Sequence, residues 1–275
     1  MVLDYPSFKV LVSQMTGIDL RHYKSQQMDR RIQSLMQSWG LSSFEDYLEV
    51  LRNNPQRYKE FVKKLTINVS EFFRNPDRFI DLREQIFPEL LKSNSNSKIR
   101  IWSAGCSDGS EPYSIGIIAK ELQAEKRVAI FATDVDHEIL ARARQGSYAE
   151  NELKNVPPEL LKKYFDLQCQ HYYLKEDVKC LVDFQHHNLL TDRYVGDWDL
   201  IICRNVVIYF TEEAKRDLYL RFFAALKPGG FLMVGGTEPL LNYKQLGFES
   251  FCSSFYRKPE KYIKDNNSND FRMWR

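Results

Sequence analysis

Residues 99–114, IRIWSAGCSDGSEPYS, constrain the fold more than any other part of this chain. The segment begins with apolar residues typical of a buried strand, continues through small residues and enters a helix at Glu111 and Pro112. A strand, a tight turn of small residues and a helix start form the first half of a nucleotide-type binding unit. The segment therefore predicts an α/β fold with a ligand site at this turn.

Glu111 indicates what kind of ligand this turn binds. Its carboxylate stands at the start of the predicted helix, where a phosphate group would otherwise bind. A negative charge at that place disfavours a phosphorylated cofactor and favours a cationic one. S-adenosylmethionine carries a sulfonium and an amino group, so we expect it to be the cofactor.

Composition excludes several other classes of protein. The 275 residues are 43% hydrophobic and 28% charged, as in soluble globular proteins, and the net charge of +2 gives no general attraction to nucleic acid. No stretch reaches the ~18 apolar residues of a membrane span, and we see no signal peptide. The five cysteines are odd in number and lack a C-x-x-C pair, and the five histidines form no ligand pattern. We expect a cytoplasmic protein without a metal.

Periodicity divides the chain into two predicted domains. Residues 1–91 carry apolar residues at helical spacing and predict a small helical domain, and the polar stretch KSNSNSK at 92–98 predicts a linker. From residue 99 to 275 strands alternate with helices, which indicates a mostly parallel sheet. Residues 168–187 alternate like two strands around a turn at Glu176 and Asp177, so we expect a β-hairpin insertion there. The polar residues 259–275 predict a loose tail.

Polar residues follow three of the predicted strands. Asp134 ends the second strand, where an acid binds ribose hydroxyls, although it is equally suited to cap the next helix. Asn188 and Leu189 suit the edge and face of an adenine ring, or else Asn188 closes a turn. Arg204 and Asn205 follow an apolar strand, where burying an arginine without a partner is costly. A structural ion pair is one explanation, but a binding site is favoured because Tyr209 follows within one turn.

The segment TINVSEFFR, residues 66–74, lies between predicted helices and is dense in hydrogen-bonding groups. An ordinary capping loop and a binding segment both explain it. The physical properties of the residues do not decide between the two.

Six motifs in order carry a family resemblance: TINVSEFFR, IWSAGCSDGSEPYS, ATDVD, HNLL, CRNVVIYF and LKPGGFLMVGGTE. Over residues 5–258 the chain resembles the bacterial chemotaxis receptor glutamate methyltransferases of the CheR type. The resemblance implies a small all-α N-terminal domain followed by a Rossmann-like S-adenosylmethionine domain with a small antiparallel β insertion. It also implies methyl transfer to glutamate carboxylates in the cytoplasmic helical domain of chemotaxis receptors, as methyl esters. Nothing in the sequence demands more than a monomer, so we expect the enzyme to act as one.

The resemblance also implies a role for individual residues. Arg74 and Tyr209 match residues that hold the substrate carboxylate near the methyl group. The positions that match cofactor-binding residues are Asn68, Ser70, Arg74, Glu111, Asp134, Asn188, Leu189, Arg204 and Asn205. The basic residues Lys24, Arg30 and Arg31 of the second predicted helix suit an acidic helical partner, or else they form a solvated face.

The chain departs from the family pattern at two positions of the turn. Asp108 stands where the family has Thr, and Ser110 stands where it has Glu or Gln. These changes motivate an alternative function, a module that binds S-adenosylmethionine for regulation and has lost or changed its methyl acceptor. A methyltransferase acting on RNA or a small molecule is a second alternative, and the absence of a basic and aromatic strip disfavours RNA.

Overall fold

A computed structural model describes residues 3–260 of the chain. Residues 261–275, most of the predicted loose tail, lie outside the described residues. No helix within residues 3–260 is long and apolar enough to cross a membrane. Within the same range no cluster of three or more His, Cys, Asp or Glu side chains is arranged to hold a metal ion.

Four helices form the N-terminal domain, and local capping explains where they begin and end. Asp4 accepts a hydrogen bond from the backbone N–H of Ser7 at 2.9 Å and begins the first helix, which Gly17 ends with a φ of 71°. The domain has its own core around Phe8, Tyr47 and Phe61. The helices are α1 (Tyr5–Thr16), α2 (Ser25–Ser38), α3 (Phe44–Asn53) and α4 (Pro55–Thr66).

The next helical stretch belongs to the other domain. It comprises α5 (Pro76–Asp81), a π-helical turn over Leu82–Ile86, and α6 (Phe87–Ser93). Phe87 is fully buried in the same core as Ile101 of the sheet, whereas the core of the N-terminal domain ends at Leu65. Packing therefore moves the domain boundary from the predicted residues 92–98 to residues 66–71, between Leu65 of one core and Phe72 of the other. The periodicity of this stretch indicated a helix but carried no information about which core that helix packs against.

A seven-stranded sheet forms the centre of the second domain, in the order β6-β2-β1-β7-β8-β10-β9. The pairs among β6, β2, β1, β7 and β8 are parallel, and β10 pairs antiparallel with both β8 and β9. Because the chain leaves β1 toward β2 and later returns to its other side as β7, the carboxyl end of β1 is a topological switch point, where ligands bind in open α/β sheets. The strands are β1 (Ile99–Ala104), β2 (Val128–Asp134), β6 (Val182–His186), β7 (Trp198–Cys203), β8 (Leu226–Val234), β9 (Glu249–Cys252) and β10 (Phe255–Arg257).

Helices connect these strands. The longest of them follows the loop after β7 and begins where Thr211 accepts a hydrogen bond from the backbone N–H of Ala214. The helices are α7 (Ser110–Glu121), α8 (His137–Gln145), α9 (Pro158–Tyr164), α10 (Glu176–Lys179) and α11 (Glu212–Ala225).

The antiparallel insertion differs in extent from the prediction. It is a three-stranded sheet of β3 (Ser147–Tyr148), β5 (His171–Leu174) and β4 (Phe165–Gln168), in that order. Its hairpin turns at Cys169 and Gln170, both with positive φ, and not at residues 176–177, which begin α10. The boundaries 168–187 are therefore wrong. Residues 182–186 alternate because they form β6, a sheet edge with one solvated face, and such an edge has the same period of two as a hairpin.

Candidate active site

One pocket lies at the carboxyl ends of β1, β2 and β7, beneath the linking segment (residues 66–75) that joins the two domains. The empty space within it and its open mouth, which includes open solvent, is about 960 Å³. The structure brings to its wall all the residues predicted to bind the cofactor or to hold the substrate carboxylate. They are Asn68, Ser70, Arg74, Glu111, Asp134, Asn188, Leu189, Arg204, Asn205 and Tyr209.

The turn after β1 forms the floor of the pocket. Gly105 has a φ of 83°, and a Cβ atom at this position would lie 2.5 Å from Cγ2 of Val206 across the pocket. Ser107 also has a positive φ, and its hydroxyl oxygen is buried without a hydrogen-bond partner among the described residues. Glycine at position 105 thus lets the turn pack directly against Val206, and Ser107 leaves an unpartnered polar atom in the pocket wall.

Glu111 and Arg204 form a pair in the pocket wall. Glu111 Oε1 accepts a hydrogen bond from Ser103 Oγ at 2.8 Å, and Oε2 lies 3.4 Å from Nη1 of Arg204. Arg204 Nη2 donates to the backbone carbonyl of Arg74 at 2.7 Å and to Oδ1 of Asn75 at 2.8 Å. Burial raises the pKa of Glu111, while the positive charge of Arg204 opposes that shift. The sequence left a structural ion pair and a binding site as alternatives for Arg204. In the structure the ion pair with Glu111 is itself part of the pocket wall, so the two alternatives coincide.

Asp134 lies at the end of β2, and its two carboxylate oxygens accept backbone hydrogen bonds. Oδ2 accepts from Ser107 at 2.9 Å and Oδ1 from Asp136 at 3.1 Å. Burial nevertheless raises the pKa of Asp134 from 3.8 to about 6. The capping role falls to Asp136, which accepts from the backbone N–H groups of Glu138 and Ile139 at the start of α8. The helix-cap alternative for Asp134 is thereby removed.

The linking segment is tied to the second domain through Asp136. The side-chain amide of Asn68 donates to Oδ2 of Asp136 at 2.7 Å, and the hydroxyl of Thr66 donates to the same oxygen at 3.1 Å. Between them Ile67 has a φ of 52°, an unfavourable conformation for a β-branched residue. Arg74 donates to the backbone carbonyl of Val69 at 3.1 Å, which closes the segment on itself.

Asn188 closes a turn and also contacts the N-terminal domain. Its side-chain oxygen accepts from the backbone N–H of Leu190 at 2.9 Å, and its amide donates to the carbonyl of Gly17 at 2.9 Å. Asn188 thus closes a turn, as one of the two alternatives from the sequence expected, and it also lines the pocket. Leu189 packs against the hydrophobic core on the same side of the sheet as Trp102.

Tyr209 is held by the N-terminal domain. Its backbone carbonyl accepts a hydrogen bond from the N–H of Lys24 at 2.8 Å, and the neighbouring Phe210 forms an antiparallel bridge with Tyr23. The guanidinium of Arg31 lies 4.8 Å from the centre of the Tyr209 ring. Arg31 was predicted to face a partner, and this ring contact was not foreseen.

The other two basic residues of the predicted partner surface lie away from the pocket wall. Lys24 Nζ is 4.0 Å from Oε1 of Glu212, and Arg30 is exposed. Two further features were not indicated by the sequence: the hydrogen bond between Asn68 and Asp136, and the buried carboxylate of Glu238. The motif GGTE contained Glu238, and an acid next to an apolar strand was the only local signal for it.

Two family models match the chain over nearly all of the described residues. "CheR methyltransferase, all-alpha domain" matches residues 3–66, and "CheR methyltransferase, SAM binding domain" matches residues 68–254. The chain belongs to the CheR methyltransferase family. It is an S-adenosylmethionine-dependent methyltransferase, and the predictions of the family, the fold class and the cofactor are confirmed.

Relatives of this methyltransferase extend over most of its length. The chemotaxis protein methyltransferase of Listeria innocua is 37% identical over 93% of this chain and 97% of its own. Chemotaxis protein methyltransferase 1 of Pseudomonas aeruginosa is 35% identical, over 87% and 91%. The Escherichia coli chemotaxis protein methyltransferase is 34% identical, over 83% and 81%. No observation favours the alternative of a module that has lost its methyl acceptor.

Proposed function

We propose that this methyltransferase transfers a methyl group from S-adenosylmethionine to glutamate side chains of chemotaxis receptors and forms methyl esters. The observation that carries the proposal is the meeting of two kinds of residue in one pocket. Glu111 and Asp134 place two carboxylates on its floor, and Arg74 and Tyr209 place a cation and a phenol at the linking segment and the loop after β7. The names of the relatives support a role in chemotaxis.

The pocket wall fits a cationic cofactor with hydroxyl groups. Ser107 Oγ and Arg204 Nε are buried in this wall without hydrogen-bond partners in residues 3–260. In the proposal Asp134 accepts from ribose hydroxyls and Glu111 attracts the amino group. When bound, the cofactor supplies a methyl group that positively charged sulfur has made reactive.

The remaining cofactor contacts are proposed for residues around these acids. Asn68, Ser70 and Arg74 of the linking segment cover the cofactor, and the other contacts follow the carboxyl ends of the strands. These further residues are Asn188, Leu189, Arg204 and Asn205. The side-chain hydrogen bonds of Asn68, Asn188 and Arg204 also fix the wall itself, so each of these residues shapes the pocket as well as facing it.

The proposed acceptor needs no general base. A glutamate side chain has a pKa of ~4.3 and is ionised at neutral pH, so it attacks without losing a proton. Because a carboxylate and a sulfonium give neutral products, charge disappears in the transition state, and a pocket that excludes water favours it. Orientation in line with the S–CH₃ bond contributes up to ~7–11 kcal/mol in well-aligned systems. Arg74 and Tyr209 therefore orient the carboxylate more than they neutralise it.

The proposed partner is the acidic helical region of such receptors in the cytoplasm. Lys24 directly precedes α2 and Arg30 lies within it, next to the segment that contacts Tyr209. Both offer positive charge on that side of the enzyme. Opposite charges there accelerate the encounter of the two proteins. We propose these two residues, together with Arg31, as the receptor-facing part of the enzyme, which acts as a monomer.

The test is methyl transfer from radiolabelled S-adenosylmethionine to receptor-rich membranes. We expect label that alkali releases as methanol, because a carboxyl ester hydrolyses in base. Arg74→Ala and Tyr209→Phe should each lower kcat, whereas Arg78→Ala should not, since Arg78 pairs with Asp81 outside the pocket wall. Alkali-stable label would contradict the glutamate assignment, and a rise in KM alone would contradict the orienting role of the two residues.

A further inference from the structure

Glu238 is a buried carboxylate that the proposed chemistry does not use. It follows β8, is 7% exposed and does not line the pocket. Its two oxygens accept hydrogen bonds from one loop: Oε2 accepts from the backbone N–H of Asn205 at 2.6 Å, and Oε1 from that of Ile208 at 3.0 Å. Hydrogen bonds to an ionised acceptor are about twice as strong as neutral ones.

The chain is shaped to hold this carboxylate in place. The backbone N–H of Glu238 donates to the carbonyl of Gly235 at 2.9 Å and closes a turn. A Cβ atom at Gly235 would overlap with Oε2 of Glu238 and lie 3.2 Å from the backbone nitrogen of Asn205. Only glycine leaves room at this position for the carboxylate and the loop to meet.

The loop that Glu238 holds contains residues from both halves of the proposed site. Asn205 faces the cofactor region with a φ of 60°, a conformation that needs support from its surroundings. Ile208 directly precedes Tyr209. Glu238 thus holds the residue before Tyr209, while the bridge between Tyr23 and Phe210 holds the residue after it.

We propose that Glu238 is the positioning residue of this loop, and that its carboxylate sets the place of Tyr209 in the pocket. The inference rests on the proposed role of Tyr209 in holding the acceptor carboxylate. Glu238 touches neither partner of the reaction, so its effect passes through the backbone of residues 205–208. Burial raises its pKa, and the backbone hydrogen bonds from Asn205, Ile208 and Gly235 oppose that shift.

The variant Glu238→Gln tests the proposal because it keeps size and removes one acceptor. The amide oxygen still accepts one backbone N–H, and the amide nitrogen faces the other as a second donor. We expect kcat to fall about tenfold while KM for the receptor stays within twofold, since alignment is lost and the receptor surface is unchanged. In the Tyr209→Phe background the same change should lower kcat less than twofold, because the two residues act through one group.

Asp199→Asn is the matched control. Asp199 is a 3% exposed carboxylate on β7 that accepts from the backbone N–H of Arg100 at 2.8 Å, away from the pocket wall. We expect this variant to lose thermal stability with little change in kcat below its melting temperature. If Glu238→Gln keeps kcat within twofold of the wild type, or lowers it equally in the Tyr209→Phe background, the positioning role is refuted.

Amide hydrogen exchange separates this inference from the proposed function. Exchange should rise at least tenfold in Glu238→Gln at whichever of the Asn205 and Ile208 amides loses its acceptor, and it should stay unchanged at both in Asp199→Asn, whatever the methyl acceptor is. A wild-type enzyme that methylates no glutamate overturns the proposed function alone. Unchanged exchange at these two amides overturns the role of Glu238.

Discussion

We expect the cofactor to bind more weakly at acid pH, because burial makes ionisation of the Asp134 carboxyl group unfavourable. Burial moves the pKa of Asp134 from 3.8 to about 6 in the protein without ligand. At about 1.4 kcal/mol per pKa unit, this shift is worth about 3 kcal/mol. Since the pKa in the folded state is raised, the contribution of this group to stability is complete below pH 3.8 and is lost as pH rises through about 6.

Cofactor binding should offset part of the free energy needed to ionise Asp134. Asp134 is 8% exposed before any ligand binds, so most of its desolvation is already present, and ribose hydroxyl groups then add donors that favour the ionised form. If the pKa in the complex returns to the ordinary range, the affinity at pH 5 is about tenfold lower than at pH 7. Nearly one proton is released for each ligand bound at about pH 5, and almost none at about pH 7.

Titration calorimetry with S-adenosylhomocysteine measures both quantities, in pairs of buffers that differ in ionisation enthalpy. Asp134→Asn is the decisive control, because Glu111 and His187 also line the pocket and have shifted pKa values. The variant should bind weakly and lose the tenfold difference in affinity between pH 5 and 7, keeping only the dependence that Glu111 and His187 contribute. A wild type with no proton release at pH 5, or a variant that keeps the wild-type pH dependence, would refute the assignment to Asp134.

Four further single variants test contacts in and around the pocket. Arg30→Glu should raise KM for receptor at low salt and leave kcat unchanged. Arg31→Gln should lower kcat severalfold, because the ring of Tyr209 loses the guanidinium that covers it. Identical kinetics for the two variants would contradict these separate roles of Arg30 and Arg31. Gly105→Ala should weaken binding of S-adenosylhomocysteine, because the added Cβ would lie 2.5 Å from Cγ2 of Val206. Adding Val206→Ala should restore part of the affinity. Full binding by the single variant would show that this overlap does not disturb the pocket. Phe87→Ala should lower the free energy of unfolding by about 3–5 kcal/mol in urea and weaken ligand binding, since Phe87 packs in the core of the second domain. A loss of stability confined to the N-terminal helices would contradict the boundary at residues 66–71.

The sequence predicted the wall of the pocket well because its chemistry is local to the strand ends. Glu111, Asp134 and Arg204 each follow an apolar strand, and parallel strands bring their carboxyl ends to one edge. The position of each residue along the chain was therefore enough to bring them together. The same property predicted the fold class, since alternating strands and helices build a parallel sheet.

Partners distant in sequence were not predictable in this way. The bond between Asn68 and Asp136 joins residues 68 apart, and the bond between Asn188 and Gly17 joins residues 171 apart. Hydrophobic periodicity states which face of a segment is buried but not against what. For the same reason the helical stretch from α5 to α6 was assigned to the wrong domain and β6 to the insertion.

The contacts between residues distant in sequence cluster around the pocket, and through them the N-terminal domain helps to form the site. The carbonyl of Gly17 holds Asn188, the N–H of Lys24 holds the carbonyl of Tyr209, and the side chain of Asn68 meets Asp136 beside Asp134. All three join the two domains at residues of the pocket wall or next to it. A shift of the helical domain would therefore move the cofactor region and the tyrosine together, so alignment of donor and acceptor depends on both domains staying in register.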